Sequence, residues 1–303
     1  MQLKGSFVAL VTPMQQEKFG KIEVDYSSLD KLLNYHLDNN TDGLVVLGTT
    51  GESSGLSLSE KEQIIKYTVK KINKKIPIII GTGSNNTQDT VNNTMLAKKY
   101  GANAALIVTP YYNKPTQEGL FLHYQSIATQ VDIPIILYNV PSRTACDLLP
   151  ETVERLLQYE NIVAIKEAKG DLNRYSRLVD ISKKAKKLSR DFFVLSGDDL
   201  TTIDLLKLGG HGVISVTANI AAKEMADLCN KVLNDDIYKA QEIQNQLLPL
   251  HNKLFIESNP IPVKWAMYKL RLIQEPILRL PLTVLSKTNQ DIVFKAMQES
   301  GII

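Results

Sequence analysis

The stretch Ile162-Val163-Ala164-Ile165-Lys166 is a short apolar run that ends on a lysine. A continuous apolar run, rather than an alternating one, is typical of a strand that is covered on both faces. Burial at the end of such a strand disfavours the charged form of Lys166 and lowers its pKa. A neutral amine forms a Schiff base with a carbonyl compound, so this stretch indicates carbonyl chemistry without a metal or organic cofactor. The alternative is a lysine whose charged end reaches solvent.

Short apolar runs of the same kind recur along the chain, separated by amphipathic segments of helical length. The predicted strands are Phe7–Val11, Gly43–Leu47, Ile76–Ile80, Ala104–Val108, Ile135–Tyr138, Val163–Lys166, Phe193–Ser196 and Gly212–Ser215. One helical segment opens with Ser57-Leu58-Ser59-Glu60, which is a capping-box pattern. Eight strands alternating with helices predict an α/β fold, a closed (β/α)8 TIM barrel. An open doubly wound sheet is less favoured, because the first strand runs into Val11-Thr12-Pro13 and not into a glycine-rich phosphate turn.

The predicted strands stop after about Ile220, whereas helical patterns continue to the end of the sequence. These patterns cover Ile237–Phe255, Val263–Leu270 and Gln290–Glu299. We therefore expect a catalytic barrel over residues 1–220 and a helical C-terminal extension over residues 221–303.

Composition limits the classes of partner. The chain has 303 residues, 44% of them hydrophobic, and a net charge of +3, which suits one large barrel domain. We expect no nucleic-acid partner, because there is no basic tail or arginine-rich block. We expect no membrane partner, because no secretory signal is present and no apolar run approaches ~20 residues.

Cysteine and histidine usage indicates a cytoplasmic protein without a metal site. Cys146 and Cys229 are too few and too far apart for a disulfide framework or a CxxC motif, and we expect both to be reduced. The four histidines show no metal-ligand spacing. His36 and His123 fall in helical patterns and are interpreted as packing residues.

Polar and special residues follow the predicted strands at their C-terminal ends, where barrels build active sites. They are Gly48-Thr49-Thr50-Gly51-Glu52, Tyr111-Tyr112, Tyr138, Arg143, Lys166, Ser196 and Gly197-Asp198-Asp199. Glu167 is expected to be structural, because alternation turns it to the opposite face from Lys166.

The residue types at these ends suggest two tasks. The backbone N–H groups and hydroxyls of residues 48–51 suit a carboxylate, and the planar guanidinium of Arg143 suits a second one. Thr49, Tyr112 and Tyr138 are candidates for a hydroxyl chain that moves protons. For residues 48–51 the alternative is an ordinary turn, and for Arg143 it is a surface salt bridge. For Tyr138 it is a buried aromatic ring with a satisfied hydroxyl.

Over essentially its full length, the chain resembles the dihydrodipicolinate synthase branch of the pyruvate-dependent class I aldolases. The resemblance rests on the motifs Gly48-Thr49-Thr50-Gly51-Glu52, Val108-Thr109-Pro110-Tyr111-Tyr112-Asn113, Tyr138-Asn139-Val140-Pro141-Ser142-Arg143-Thr144, Ile165-Lys166-Glu167-Ala168, Gly209-Gly210-His211-Gly212-Val213-Ile214-Ser215-Val216 and Asn259-Pro260-Ile261-Pro262-Val263-Lys264.

The resemblance implies that Lys166 forms a Schiff base with pyruvate. It implies a proton relay of Tyr138, Thr49 and Tyr112, with Tyr112 supplied by a neighbouring subunit of a homotetramer, a dimer of dimers. The reaction would condense pyruvate with L-aspartate 4-semialdehyde to 4-hydroxy-tetrahydrodipicolinate, in diaminopimelate and lysine biosynthesis.

The resemblance also implies binding roles for four residues. Thr50 would help to hold the pyruvate carboxylate, and Arg143 would bind the carboxylate of the semialdehyde. Gly197 and Ile214 would shape the lysine pocket through their backbone.

Two departures from the family pattern concern Lys169 and the allosteric lysine site. Lys169 stands where the family often has threonine, and we interpret it as solvated. Leu58 and Lys61 stand where lysine-sensitive bacterial members carry histidines, so we hypothesise weakened or lost inhibition by L-lysine. Four residues remain compatible with that site, although Asp89 is shorter than the usual glutamate: Ser53, Asn85, Asp89 and Tyr111.

Two other functions remain open at this point. N-acetylneuraminate lyases and 2-keto-3-deoxy sugar acid aldolases share the lysine and the tyrosine but generally lack an arginine at the position of Arg143. A barrel that has lost catalysis and only binds pyruvate would be expected to have lost Lys166 or Tyr138, and both are present.

Overall fold

The computed structural model describes residues 1–16 and 20–303. The strands are β1 Gly5–Ala9, β2 Met14–Gln16, β3 Ile22–Val24, β4 Gly43–Val46, β5 Ile78–Gly81, β6 Ala104–Val108, β7 Ile135–Asn139, β8 Ile162–Glu167, β9 Phe193–Ser196 and β10 Gly212–Ser215. All except β2 and β3 pair in parallel and close into a barrel in the order β1-β10-β9-β8-β7-β6-β5-β4. The predicted TIM barrel is therefore confirmed.

Helices surround the barrel and continue beyond its last strand. They are α1 Tyr26–Asp38, α2 Leu58–Ile72, α3 Thr87–Lys99, α4 Gln117–Gln130, α5 Pro141–Thr144, α6 Pro150–Leu156, α7 Leu172–Lys187, α8 Thr202–Lys207, α9 Ala222–Leu233, α10 Ile237–Lys253, α11 Ile261–Lys269 and α12 Lys287–Glu299. The predicted capping box starts α2, where Ser57 and Glu60 each accept from the other's backbone N–H. Side chains of Asp25, Asn86, Thr116 and Asp171 cap α1, α3, α4 and α7 by accepting from backbone N–H groups of the first turn.

Apolar side chains fill both the inside of the barrel and the layer between strands and helices. Phe7, Val45, Ile136 and Ile214 belong to one buried cluster within the barrel. Buried residues of β1 and β4 share a second cluster with residues of α9 to α12. The helices after β10 therefore pack on the barrel through a common core. The division into residues 1–220 and 221–303 stays a proposal.

The structure differs from the sequence predictions in several strand boundaries, by one or two residues, and in one pair of strands. The first strand ends at Ala9 and not at Val11, because the Val11 N–H donates to the Asn219 side chain instead of to a neighbouring strand. The antiparallel pair of β2 with β3 was missed altogether. Each of these strands has only three residues, which is too short for a periodic pattern to be recognised.

The expectations for His36, His123 and the two cysteines agree with the structure. His36 and His123 are buried in α1 and α4, and each Nδ1 lies 2.9 Å from a threonine hydroxyl. Cys146 and Cys229 are free and buried. Within residues 1–16 and 20–303, no helix is long and apolar enough to cross a membrane.

Candidate active site

A cavity of about 330 Å³ opens at the C-terminal ends of the barrel strands. It brings together the turn after β4, Tyr138 at the end of β7, Arg143 in α5 and Lys166 near the end of β8. It is lined by Ala9, Val45, Gly48, Thr49, Thr50, Leu106, Tyr138, Val140, Ser142, Arg143, Lys166, Ala168, Gly197, Asp198, Leu200, Val216, His251, Asn252, Phe255 and Asn259. Residues from seven barrel strands or the loops that follow them thus converge, as the sequence predicted.

Lys166 is the buried amine of this cavity. Its side chain is 6% exposed, and its Nζ lies 4.4 Å from the centroid of the Tyr138 ring. Burial lowers the pKa of Lys166 to about 8, while Asp199 acts in the opposite direction and Arg143 adds to the lowering. At a pKa of about 8, a useful fraction of the amine is neutral near neutral pH.

Tyr138 lies beside Lys166 because β7 and β8 pair in parallel with these two residues in register. Burial raises the pKa of Tyr138 to about 12, and the charge of Arg143 and a hydrogen bond with Thr49 partly offset this. The hydroxyl is therefore protonated in the resting site, and it can donate a proton to an oxygen on the substrate.

The turn after β4 places two adjacent threonines at the cavity with different exposure. Thr49 is exposed, whereas Thr50 is buried. The turn is closed by a hydrogen bond of 3.1 Å from the Gly51 N–H to the Gly48 carbonyl. The Thr12 hydroxyl donates to the Gly51 carbonyl at 2.7 Å, which ties the turn to the end of β1.

Arg143 lies in the short helix α5 and is exposed at the edge of the cavity. Its charge acts on both Tyr138 and Lys166, whose pKa values it lowers. A cation at the mouth of the cavity is suited to an anionic substrate.

Gly197 is a steric requirement of the lysine site. A Cβ at this position would lie 2.9 Å from Lys166 Cε and 2.8 Å from Ala168 Cβ. Ile214 is buried in the cluster within the barrel and is not among the residues that line the cavity. Its neighbour Val216 lines the cavity instead.

Glu167 points away from the cavity into a buried polar network, in agreement with the structural role predicted for it. Its carboxylate accepts from Arg174 Nε at 2.5 Å and from Asn139 Nδ2 at 3.1 Å. Lys169 is 44% exposed, and its Nζ lies 3.6 Å from Asp147. The Lys169 ammonium therefore lies at the surface, which agrees with the prediction that this residue is solvated.

The remaining predicted residues do not line the cavity within this single chain. Tyr112 is 86% exposed and has a φ of 76°. Tyr111 and Asp89 are also exposed, while Ser53 and Asn85 are half-buried. Asn113 Nδ2 donates to the Asn85 carbonyl at 2.8 Å, which joins the loop after β5 to the loop that carries both tyrosines. Leu58 is exposed and Lys61 half-buried on α2.

Sequence reasoning gave no role to the contacts that the C-terminal helices make with this site. Asn259 Nδ2 donates to Thr50 Oγ1 at 2.8 Å, and Lys264 Nζ donates to Glu52 at 2.5 Å. Lys264 lies within a largely apolar stretch, and a charged residue in such a stretch indicates that it is buried with a partner. This was the signal in the sequence that could have predicted the ion pair.

Comparisons with known proteins agree with this geometry. Residues 2–300 match the family described as the dihydrodipicolinate synthetase family. A curated relative, the 4-hydroxy-tetrahydrodipicolinate synthase of Pseudomonas putida (strain W619), is 51% identical over 301 residues, which cover 99% of each chain.

Solved structures of similar chains extend the comparison to the fold. The chloride-inhibited dihydrodipicolinate synthase of Acinetobacter baumannii, complexed with pyruvate, is 48% identical with a TM-score of 0.93, and 100% of each chain is covered. A monomeric dihydrodipicolinate synthase variant is 43% identical with a TM-score of 0.93, and the match covers 99% of this chain and 97% of the variant.

Proposed function

The chain belongs to the dihydrodipicolinate synthetase family, and from this premise we propose that it condenses pyruvate with L-aspartate 4-semialdehyde. The product is 4-hydroxy-tetrahydrodipicolinate, on the route to diaminopimelate and lysine. The observation that carries the proposal is the buried Lys166 amine, with its pKa lowered to about 8, facing a cavity beside Tyr138.

Pyruvate binds first, with its carboxylate at the turn that contains Thr50. The neutral amine of Lys166 attacks the keto carbon, and loss of water gives an imine. Tyr138, with Thr49, supplies the proton that the departing hydroxyl needs. The imine then withdraws electrons, so that a methyl proton is lost and an enamine forms.

The semialdehyde enters at the mouth of the cavity, where Arg143 binds its carboxylate through a charge-assisted hydrogen bond. The enamine carbon attacks the aldehyde carbon, and the aldehyde oxygen takes up a proton from the relay. The amino group of the bound semialdehyde then displaces Lys166 as the ring closes, which frees the enzyme. Gly197 and the backbone at Ile214 shape the space around the lysine.

The assembly and location follow from the same proposal. Tyr112 completes the proton relay of a neighbouring subunit, in a homotetramer built as a dimer of dimers in the cytoplasm. Its exposure of 86% in the single chain supports a position at a subunit interface. A monomeric variant among the solved relatives makes the oligomeric state a property to be measured for each chain.

Inhibition by L-lysine is weakened or absent in this proposal. Leu58 is exposed and apolar at a position where lysine-sensitive relatives carry a histidine. Lys61 stands at the second such position, and burial lowers its pKa. Ser53, Asn85, Asp89 and Tyr111 remain at the surface as the rest of the site. Full inhibition at low L-lysine concentration in an activity assay would contradict this part of the proposal.

The deciding experiment measures pyruvate-dependent consumption of L-aspartate 4-semialdehyde by the purified protein, with N-acetylmannosamine as a parallel aldehyde. Turnover of the semialdehyde alone is expected. Turnover of the sugar would keep the Lys166 chemistry and overturn the substrate assignment. Borohydride trapping of pyruvate without turnover of either aldehyde would identify a barrel that binds pyruvate only.

A further inference from the structure

The carboxylate-binding turn is held by a side chain from outside the barrel. Asn259, in the segment between α10 and α11, donates through Nδ2 to Thr50 Oγ1 at 2.8 Å. The two residues are 209 positions apart in the sequence. Both are buried, and both line the cavity that contains Lys166.

The direction of this hydrogen bond has a chemical consequence. A threonine hydroxyl has one proton to donate and two lone pairs that accept. Because Thr50 Oγ1 already accepts from Asn259, its own proton remains available for an anionic oxygen in the cavity. Without the Asn259 donor, the Thr50 hydroxyl would be free to rotate and to donate its proton to another acceptor.

A second contact fixes the same turn to the same segment. Glu52 ends the turn in a left-handed conformation with φ 52°, and its carboxylate accepts from Lys264 Nζ at 2.5 Å and from the Arg279 N–H at 3.1 Å. Lys264 is completely buried in α11, and it also donates to the Ile277 carbonyl at 2.7 Å. The ion pair and the Asn259 hydrogen bond therefore hold residues 50 and 52 against one helical segment.

We propose that Asn259 is a positioning residue for pyruvate, which orients the Thr50 hydroxyl toward the pyruvate carboxylate while the Glu52–Lys264 ion pair holds the turn in place. This inference rests on the proposed function. Asn259 acts through Thr50 and takes no part in the chemistry at Lys166. Its removal should therefore weaken capture of pyruvate without slowing the later steps.

The test measures how much pyruvate is needed for half-maximal borohydride-trapped adduct on Lys166, read by intact mass. Asn259→Ala should raise this concentration about tenfold, the effect of losing one hydrogen bond that supports a charged group. Asn259→Asp keeps the side-chain volume but replaces the donor with a negative charge, and it should raise the concentration further. The semialdehyde concentration at half-maximal rate, and kcat at saturating pyruvate, should change less than about threefold.

A double-mutant cycle with Thr50→Val separates positioning from a general structural effect. If Asn259 acts through Thr50, Asn259→Ala combined with Thr50→Val should be no worse than Thr50→Val alone. Additive losses, or an equal loss for both substrates together with a lowered Tm, would overturn the inference. Asn234→Ala is the matched control, because the exposed Asn234 amide donates only to the Asn230 carbonyl at the end of α9.

Failure of this inference is distinguishable from failure of the proposed function. Trapping needs pyruvate alone, so it reports on Asn259 whether or not the semialdehyde is consumed. If the wild-type protein traps no pyruvate, the proposed function fails. If it does trap pyruvate, and both Asn259 variants do so at the wild-type concentration, only the positioning role is refuted.

Discussion

The protonation of Lys166 is set by three influences that the fold places around one amine. Burial in the barrel lowers the pKa most, the carboxylate of Asp199 opposes this, and the cation of Arg143 adds to the lowering. Asp199 is itself fixed, since it accepts from two backbone N–H groups after β10. The nucleophile is thus tuned by its burial and by charged residues from two separate segments, the loop after β9 and the helix α5.

A pH dependence follows from the lowered pKa. The amine must be neutral to attack pyruvate, so the rate of imine formation should rise through about pH 8 and level off above it. Borohydride trapping at short times, from roughly pH 6 to pH 10, measures this rate. Arg143→Gln removes a cation that lowers the pKa, so its profile should shift to higher pH. A midpoint that remains near the ordinary value of 10.5 would contradict the buried-amine mechanism.

Gly197→Ala tests the space that the lysine needs. The new Cβ would lie 2.9 Å from Lys166 Cε and 3.1 Å from Lys166 Cγ, so the lysine chain must move. Displacement of a reacting group by about 1 Å can cost on the order of 100-fold in rate, and we expect a loss of kcat near this size. Gly55→Ala is the control, since its Cβ would meet no atom closer than 3.5 Å. Activity within twofold of wild type in Gly197→Ala would show that the pocket adapts.

At this scale, sequence reasoning found the residues whose side chains carry the proposed chemistry and missed those that hold them. Lys166 and Tyr138 are recognisable because each ends an apolar run at a predicted strand end. The contacts of Asn259 and Lys264 with the site are not, because their partners lie more than 200 positions away. Only the closed fold brings such residues together.

At the scale of elements, the end of β8 depends on a buried polar network that α7 completes. Arg174 of α7 contacts Glu167 at 2.5 Å and Asp147 at 3.0 Å, and it also donates to the Leu148 carbonyl. Burial raises the pKa of Glu167, and the Arg174 charge opposes this shift. Lys166 and Glu167 are adjacent. The end of β8 therefore carries both the reactive amine and the carboxylate that holds the strand end in the polar network.

Arg174→Ala should destabilise the protein strongly, because it leaves the fully buried Glu167 without its cation. Breaking a buried ion pair by removing one partner costs about 3–5 kcal/mol of unfolding free energy. Urea denaturation followed by Trp265 fluorescence, at fixed protein concentration, measures the loss. Arg177→Ala, on the same helix, removes an exposed pair with Glu151 and should cost less than about 1 kcal/mol. Equal losses for the two variants would refute the assigned role of the network.

The strands of the barrel were predictable as elements because each is an apolar run without alternation, which requires cover on both faces. Their exact ends were not predictable, since they depend on partners such as the Asn219 side chain that ends β1. The pair of β2 with β3 was missed because six residues in two strands form no periodic pattern.

At the scale of the whole molecule, the barrel alone does not complete the proposed proton relay. Tyr112 is held in a left-handed conformation with φ 76°, and its side chain is exposed outside the cavity of its own chain. The proposed function accounts for this strained backbone and exposed aromatic ring by a contact with another subunit. Under the proposed function, the active unit is at least a dimer in which one isologous interface serves two equivalent sites.

Subunit mixing tests this directly. Lys166→Ala and Tyr112→Phe should each be impaired alone, and co-refolding equal amounts should restore activity. In a mixed dimer, one site combines an intact Lys166 with an intact Tyr112 from the partner, so about a quarter of all sites should recover. Mixing Lys166→Ala with Tyr138→Phe is the negative control, because both residues line the cavity of one chain and no hybrid then contains an intact site. Each variant refolded alone under identical conditions gives the baseline activity. No recovery in mixtures that native mass spectrometry shows to contain hybrids would place Tyr112 outside the neighbouring site, because only a residue that acts across the interface allows two defective chains to complement each other.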